Sequence, residues 1–245
     1  MNVVLILAKE GSIGLPGKNI WKVKGKRLLE WLIEAAKKSK TVDKVFVSTN
    51  GKKTAGIAKS AGAQAIMRDD ELAKNSNFIG AVDHAVRSIK ELNNDLENIA
   101  LAECVVPFRD PDIFDKCFNF LADNPDYDSV VTIRELGYIA EALMKIDLDG
   151  ALVPYFPDKQ NKVPISRQES VSYEIDHIVE CFRYQSWLNR DKGIKPWSYN
   201  GRKIKGIKQT YHNPNCFVDI HTPNDVKWLE FIVEHLGFEG MKAND

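Results

Sequence analysis

Apolar and polar positions along the chain follow two periods in turn. An unbroken apolar run from Val3 to Leu7 reads as a buried strand, and it empties into a loop holding Gly11, Gly14 and Gly17. Apolar residues then recur at helical spacing at Leu28, Leu29, Leu32, Ala35 and Ala36, which predicts a helix over 28–38 packed on a sheet. The alternation continues with a strand over 44–49 ending in Asn50-Gly51, and a small helix over 55–61 closed by Gly62. A third strand over 65–67 delivers Arg68 and the acidic run Asp69-Asp70-Glu71. A helix over 78–92 carries Ile79, Val82, Val86 and Ile89 on one face, and a fourth strand over 98–106 closes on Pro107. Asp110 as N-cap and Pro111 at the first helical position open a helix through Phe114, Phe118 and Leu121. A fifth strand covers 129–133.

Strands and helices joined by short loops predict an α/β fold with a doubly wound, mostly parallel, Rossmann-like sheet covered on both faces. Right-handed crossovers place the C-terminal strand ends on one rim, where the ligand crevice of such a sheet lies. The first loop and the ends near Asn50, Arg68 and Glu103 are therefore expected to converge. The pattern changes at about Arg134. Residues 134–190, with a turn at Asp149-Gly150 and a Pro-rich stretch from Val153 to Pro164, read as a small β-rich insert. The main domain is then 1–133 with 191–245. Within it, 191–209 reads as solvated loop and edge strand. Phe217 to Ile220 reads as a last strand carrying Asp219, and Thr222-Pro223 opens a closing helix that ends at Gly237.

A chain of 245 residues fits one large α/β domain with a small insertion. Its 34 Lys and Arg balance its 34 Asp and Glu, so no overall field draws it to nucleic acid or to a membrane, and any anion site must be local. No apolar run approaches the roughly 20 residues of a membrane span. The start reads as a core strand rather than a signal peptide. Cys104, Cys117, Cys181 and Cys216 form no CxxC pair and read as buried or free thiols in a reducing cytoplasm.

The first loop changes this picture. Glycines let a backbone approach a ligand and turn its N–H groups toward it. Lys9 and Lys18 add mobile positive charge at either end. The combination suits a polyphosphate, with a structural turn as the alternative reading. It matches neither the G-x-x-x-x-G-K-[ST] nor the G-x-G-x-x-G signature.

The stretch Leu7-Ala-Lys-Glu-Gly-Ser-Ile-Gly-Leu-Pro-Gly-Lys-Asn19 resembles the opening motif of the acylneuraminate cytidylyltransferase family, the CMP-sugar-acid synthetases. Val47-Ser-Thr-Asn50, Arg68 with Glu71-Leu-Ala73, Leu101 to Arg109, and Val218-Asp-Ile-His-Thr-Pro-Asn-Asp225 are similar to later motifs of that family, in the same order. The resemblance implies a fold of the nucleotide-diphospho-sugar transferase type. It also implies transfer of CMP from CTP to a sugar acceptor with release of pyrophosphate, for surface glycan synthesis, with Mg²⁺ required. By the same resemblance Lys9, Lys18 and Asp219 are catalytic. Leu7, Ala8, Lys9, Gly11, Ser12, Lys18, Asn19 and Arg68 surround the nucleotide. Arg167 and Gln168 reach the acceptor from the insert, which sits where the family carries its homodimerisation element.

Several motif positions depart from the family. The loop arginine is Lys9, the mid-loop lysine is Ile13, and the aspartate closing the second strand is Asn50. The sugar-side glutamine is Glu103, the following Thr-Ser are Val105 and Val106, and the second aspartate of D-I-D is His221. A carboxylate at 103 is expected to repel an acidic sugar. One reading places Glu103 with Asp219 and His221 around Mg²⁺, or Mn²⁺ since an imidazole shifts the balance. The plainer readings are a salt bridge from Glu103 to a lysine, and a local hydrogen bond or helix cap from His221. Asp176-His177 resembles a catalytic dyad without a nucleophile motif beside it. The five tryptophans read as core and interface anchors, and Arg202, Lys203, Lys205 and Lys208 as a wet edge.

Overall fold

The structure is a computed structural model that describes residues 1–12, 14–74, 77–110, 112–163, 171–209 and 218–235. Ile13, Pro111, Arg167, Gln168, Cys216 and Phe217 lie outside the described residues.

Four strands form the parallel part of the main sheet: β1 (Asn2–Leu7), β4 (Lys44–Thr49), β5 (Gln64–Met67) and β6 (Asn98–Ala102). β1 pairs in parallel with β4 and with β6, and β4 pairs in parallel with β5. Between β1 and β4 lie two short strands, β2 (Lys22–Val23) and β3 (Lys26–Arg27), which form their own antiparallel ribbon. The full sheet has seven strands in the order β11-β7-β10-β6-β1-β4-β5, where β7 is Ser129–Glu135, β10 is Tyr173–Arg183 and β11 is Ile204–Lys208. The fifth strand therefore does not neighbour the fourth. β10, made later in the chain, lies between them and runs antiparallel to β6, with Glu180 opposite Leu101.

The strand periodicity assigns each face of the sheet. Val4, Ile6, Val45, Val47, Ala100 and Ala102 pack with helices α1 (Leu28–Lys38), α4 (Ile113–Asp123) and α6 (Pro223–His235). Val3, Leu5, Phe46, Ile99 and Leu101 pack on the other side with α3 (Phe78–Leu92), with Trp187 from α5 (Tyr184–Leu188), and with Tyr199. Val3 to Ile6 are fully buried, and each such side chain contributes about 1.5–3 kcal/mol. Cys104, Cys117 and Cys181 are buried free thiols.

Several boundaries differ from the sequence expectation. α2 (Lys52–Ser60) begins three residues before Ala55 because its first turn is polar and carries no apolar period. Its amino end is held from another loop, where the Glu10 carboxylate accepts from Thr54 N at 3.0 Å. α4 takes Asp112 as N-cap rather than Asp110, whose carbonyl accepts from Ile113 N at 3.2 Å. Val218 to Ile220 is not a strand: one bond, Ile220 N to Val105 O at 3.0 Å, docks it without a ladder. The stretch 191–209 does supply the edge strand β11, but Tyr199 and Asn200 within it are buried rather than solvated.

Met1–Thr132 with His177–Asp245 form one compact unit and Ile133–Asp176 a second. Residues 177–183 belong to the sheet because Glu180 to Arg183 pair with β6. The second unit contains the hairpin of β8 (Met144–Ile146) and β9 (Leu152–Pro154). Its turn is closed by the Asp147 carboxylate, which accepts from Asp149 N and Ala151 N, and Gly150 takes a φ of 85° that suits glycine. Leu143, Met144, Ile146, Leu148, Leu152, Tyr155 and Phe156 are exposed on this unit.

One carboxylate ties the α1–β4 connection to α4. Asp115 accepts from Ser39 Oγ at 2.6 Å, Thr41 Oγ1 at 2.7 Å and Thr41 N at 2.9 Å. Burial alone would raise its pKa, but these donors together hold it below the usual carboxylate value. Asp115→Ala is expected to lower stability by about 2 kcal/mol in urea unfolding. A depressed folded pKa stabilises above the unfolded value and is lost as pH falls through the folded one. The gap between the two proteins should therefore narrow as pH falls below about 4. A gap of the same size at pH 3 and pH 7 would refute this account.

Candidate active site

Leu7 ends β1 at the rim, and the chain turns at once into the glycine loop. Ala8 N donates to Ser48 O at 2.9 Å, which extends the β1–β4 pairing one step past the strand. The loop then folds back on itself through Asn19. This buried amide donates to Lys9 O at 2.9 Å, while its Oδ1 accepts from Cys104 Sγ at 3.1 Å. Gly14 passes so close to the segment 218–221 that a Cβ there would meet His221 O at 2.6 Å.

The loop closes over a cavity of about 210 Å³ at the C-terminal ends of β1, β5 and β6. Lys9, Ser12, Lys18, Asn19, Arg68 and Glu103 line it, with Leu7, Leu101, Phe78 and Val105 among its apolar walls. The rim residues expected to converge do so, and Asn50 braces the loop by accepting from Glu10 N at 3.1 Å and donating to Asp70 at 2.8 Å. Ala8 and Gly11 do not line the cavity. Ala8 faces the core, and Gly11 stands open, with nothing within 4 Å of where a Cβ would lie.

The cavity gathers like charges. Burial, then Lys18, then Arg68 lower the Lys9 pKa. Burial pushes Arg68 down to about 10, although its Nη1 donates to Ser48 Oγ at 3.2 Å. Arg68 Nε and Ser12 Oγ are buried without a hydrogen-bond partner among the described residues. Three crowded cations and unmet polar atoms facing one cavity are what an anionic ligand with many oxygens would satisfy. Cys104 is no nucleophile: burial raises its thiol to about 12.

Asp219 and His221 join the site through Lys18. Lys18 Nζ donates to Ile220 O at 2.8 Å and lies 3.4 Å from His221 Nδ1, while His221 Nε2 is 2.8 Å from Asp219 Oδ2. His221 thus bonds locally, and the carboxylate that holds the start of α6 is Asp225, which accepts from His221 N and Thr222 N. Glu103 makes no ion pair among the described residues. Burial raises its pKa, with Asp219 and Glu180 adding to the rise while His177 and Lys18 oppose it.

The sequence reading grouped Glu103, Asp219 and His221 around a metal. Among the described residues no group of three or more His, Cys, Asp and Glu side chains is placed to hold one, and both His221 nitrogens are turned to Asp219 and Lys18. Two carboxylates fit a hard divalent cation better. Among the described residues Asp219 Oδ1 is buried without a partner, and burial, with a smaller contribution from the Asp219 charge, favours the neutral form of Glu103. A cation on oxygen ligands, completed by ligand phosphates, would relieve both.

The sequence reading missed Glu180, Tyr199 and Asn200. His177 pairs with Glu180 at 2.9 Å and not with the adjacent Asp176, and Glu180 is itself buried, with Tyr199 and Asn200 donating to it. A lone carboxylate inside the apolar run Ile178 to Phe182 was the available signal.

Comparisons with known proteins show the family and the fold. The chain is 32% identical over 260 residues to a 3-deoxy-manno-octulosonate cytidylyltransferase of Bdellovibrio bacteriovorus, covering 96% of this chain and 98% of that protein. It is 29% identical over 189 residues to an N-acylneuraminate cytidylyltransferase of Escherichia coli, covering 76% of this chain and 43% of that protein. The chain thus spans less than half the length of this second relative. A CMP:2-keto-3-deoxy-manno-octonic acid synthetase complexed with CTP shares the fold, with a TM-score of 0.69 at 15% identity over 95% of this chain and 98% of that one. A 4-diphosphocytidyl-2C-methyl-D-erythritol synthase from Anaerococcus prevotii shares it with a TM-score of 0.63 at 15% identity over 95% and 97%. No helix among the described residues is long and apolar enough to cross a membrane. The family model described as Cytidylyltransferase matches residues 3–148, more than half of the chain and including the loop, Arg68 and Glu103, and the chain belongs to that family.

Proposed function

We propose that the chain is a CMP-sugar-acid synthetase, transferring CMP from CTP to the hydroxyl of a sugar acid and releasing pyrophosphate. The observation that carries this reading is the convergence of Lys9, Lys18 and Arg68 on one cavity beside the acidic pair Glu103 and Asp219. Transfer at phosphorus asks a protein mainly for positioning and charge neutralisation. Lys9 and Lys18, with the loop N–H groups, would bind the triphosphate and meet the charge that develops on the leaving pyrophosphate. Arg68 would orient the nucleotide. Asn19 keeps the loop in shape for this through its bonds to Lys9 O and Cys104. Asp219 and Glu103 would hold Mg²⁺, which supplies charge neutralisation at the phosphates when bound. The apolar side chains exposed on Ile133–Asp176 suit a homodimer contact of this insert.

The test has two stages. Thermal stabilisation by CTP, UTP, GTP and ATP is measured first, with Mg²⁺. A hundredfold excess over Kd stabilises by about 2.7 kcal/mol, and CTP alone is expected to do so. Pyrophosphate release is then measured with CTP and either 3-deoxy-manno-octulosonate or N-acetylneuraminate, and is expected to require the sugar. A shift with another nucleotide would replace the donor. No shift with any of them would leave a family member without turnover and defeat the proposal.

A further inference from the structure

β10 contains two features that a plain structural strand does not need. His177 takes a φ of 57°, a left-handed conformation uncommon for a residue with a side chain. Three residues on, Glu180 is almost fully buried, and burial of a charge is costly unless every oxygen is met. The two features meet, because Glu180 Oε1 is 2.9 Å from His177 Nδ1. On its other oxygen Glu180 accepts from Tyr199 OH at 2.9 Å and Asn200 Nδ2 at 2.7 Å. A carboxylate that accepts throughout requires the proton on His177 Nδ1, and so leaves Nε2, which has no hydrogen-bond partner among the described residues, as the open position of the ring. Trp197 meets that ring in a T-shaped contact, with centroids 4.8 Å apart at 76°.

The strand brings this ring to the site. β10 runs antiparallel to β6 with Glu180 opposite Leu101, a cavity residue, so its earlier end returns to the rim where β6 delivers Glu103. His177 is near enough to Glu103 and Asp219 for both charges to bear on it. The strained residue, its buried partner and the two donors behind that partner thus form a fixed support near the two carboxylates Glu103 and Asp219.

We infer that Glu180 is a positioning residue for nucleotidyl transfer, holding His177 so that Nε2 takes the proton of the attacking acceptor hydroxyl. The inference rests on the function proposed above. In the step, the acceptor oxygen forms a bond to the α-phosphorus while its proton passes to His177 Nε2. The bond from the α-phosphorus to the bridging oxygen breaks, and pyrophosphate leaves with that electron pair. The imidazolium is stabilised by Glu180 and later returns its proton to solvent. His177 is then the catalytic residue, and Tyr199 and Asn200 hold Glu180 in place. General bases of this kind contribute about 10²- to 10⁴-fold.

The test uses the whole chain with CTP, Mg²⁺ and whichever of 3-deoxy-manno-octulosonate and N-acetylneuraminate the unsubstituted protein accepts. Glu180→Gln keeps the shape and removes the charge. His177→Asn keeps a residue that tolerates the left-handed backbone. Both are expected to lower kcat about a hundredfold or more with the KM for CTP within twofold of the original. The double variant should be no slower than His177→Asn alone, because the two act as one unit. If Glu180→Gln lowers Tm but leaves kcat intact, Glu180 is structural only and the inference falls. If His177→Asn raises only the acceptor KM, His177 is a binding contact and the inference also falls. His177→Asn decides the matter alone should Glu180→Gln fail to fold. No pyrophosphate release by the unsubstituted protein with either sugar would overturn the proposed function itself, which the variants by themselves cannot do.

Discussion

Lys18→Ala should lower pyrophosphate release by about a thousandfold, the loss expected when one preorganised donor to a developing anion is removed. Lys18 is where two parts of the site meet. Its ammonium donates to Ile220 O and faces His221 Nδ1, so it joins the glycine loop to the segment carrying Asp219. Alanine removes the cation and the tether together. The CTP-induced thermal shift should shrink, while Tm without nucleotide should change little, since the lysine sits at the cavity wall rather than in the core. Lys18→Arg restores charge but not the compact tetrahedral donor, and should recover only part of the rate. Turnover of Lys18→Ala within tenfold of the original would mean that the loop does not neutralise the leaving group.

Asp219→Asn should have an effect of similar size, about a hundredfold to a thousandfold, for a different reason. Asparagine can still accept from His221 Nε2, which now lies 2.8 Å from the carboxylate, so the local fold is kept. What is lost is the charge that a divalent cation would share with Glu103. Mn²⁺ binding in the presence of CTP, followed by the EPR signal of the free ion, should weaken by tenfold or more. His221→Ala should weaken it much less, because both its ring nitrogens are directed at Lys18 and Asp219. Equal Mn²⁺ affinity in Asp219→Asn and the original protein would remove Asp219 from the metal.

The fold was legible wherever a period was strong. β1, α1 and α3 stand where the spacing of their apolar residues puts them, and the first loop lies against the cavity because a buried strand can only release its chain at the rim. The lining of the cavity by Lys9, Lys18 and Arg68 was legible for the same reason, each following a strand or closing its loop. That Ala8 faces the core and Gly11 stands clear of the cavity was not legible, because a motif names a stretch of chain, whereas the turn of the backbone decides which members of it line the cavity. The place of β10 was not legible. An antiparallel strand that returns between β6 and β7 is fixed by pairing across long separations, and no local pattern records the partner. The same applies to Tyr199 and Asn200. They lie in a basic, glycine-containing stretch that reads as solvated, yet they are buried and donate to Glu180.

The order of strands in the sheet also bears on how the protein is made. Both hydrogen-bonded neighbours of β7, namely β10 and β11, are encoded after it. While the chain emerges from the ribosome, β1, β4, β5 and β6 can pair as they appear, but β7 must wait for the whole Ile133–Asp176 unit and then for β10. During that interval Val130 and Val131, both buried in the finished sheet, belong to an unpaired strand. Slow translation between these two strands would lengthen the exposure. Yield of soluble protein should therefore respond to synonymous codon choice over that stretch more than to codon choice in the tail.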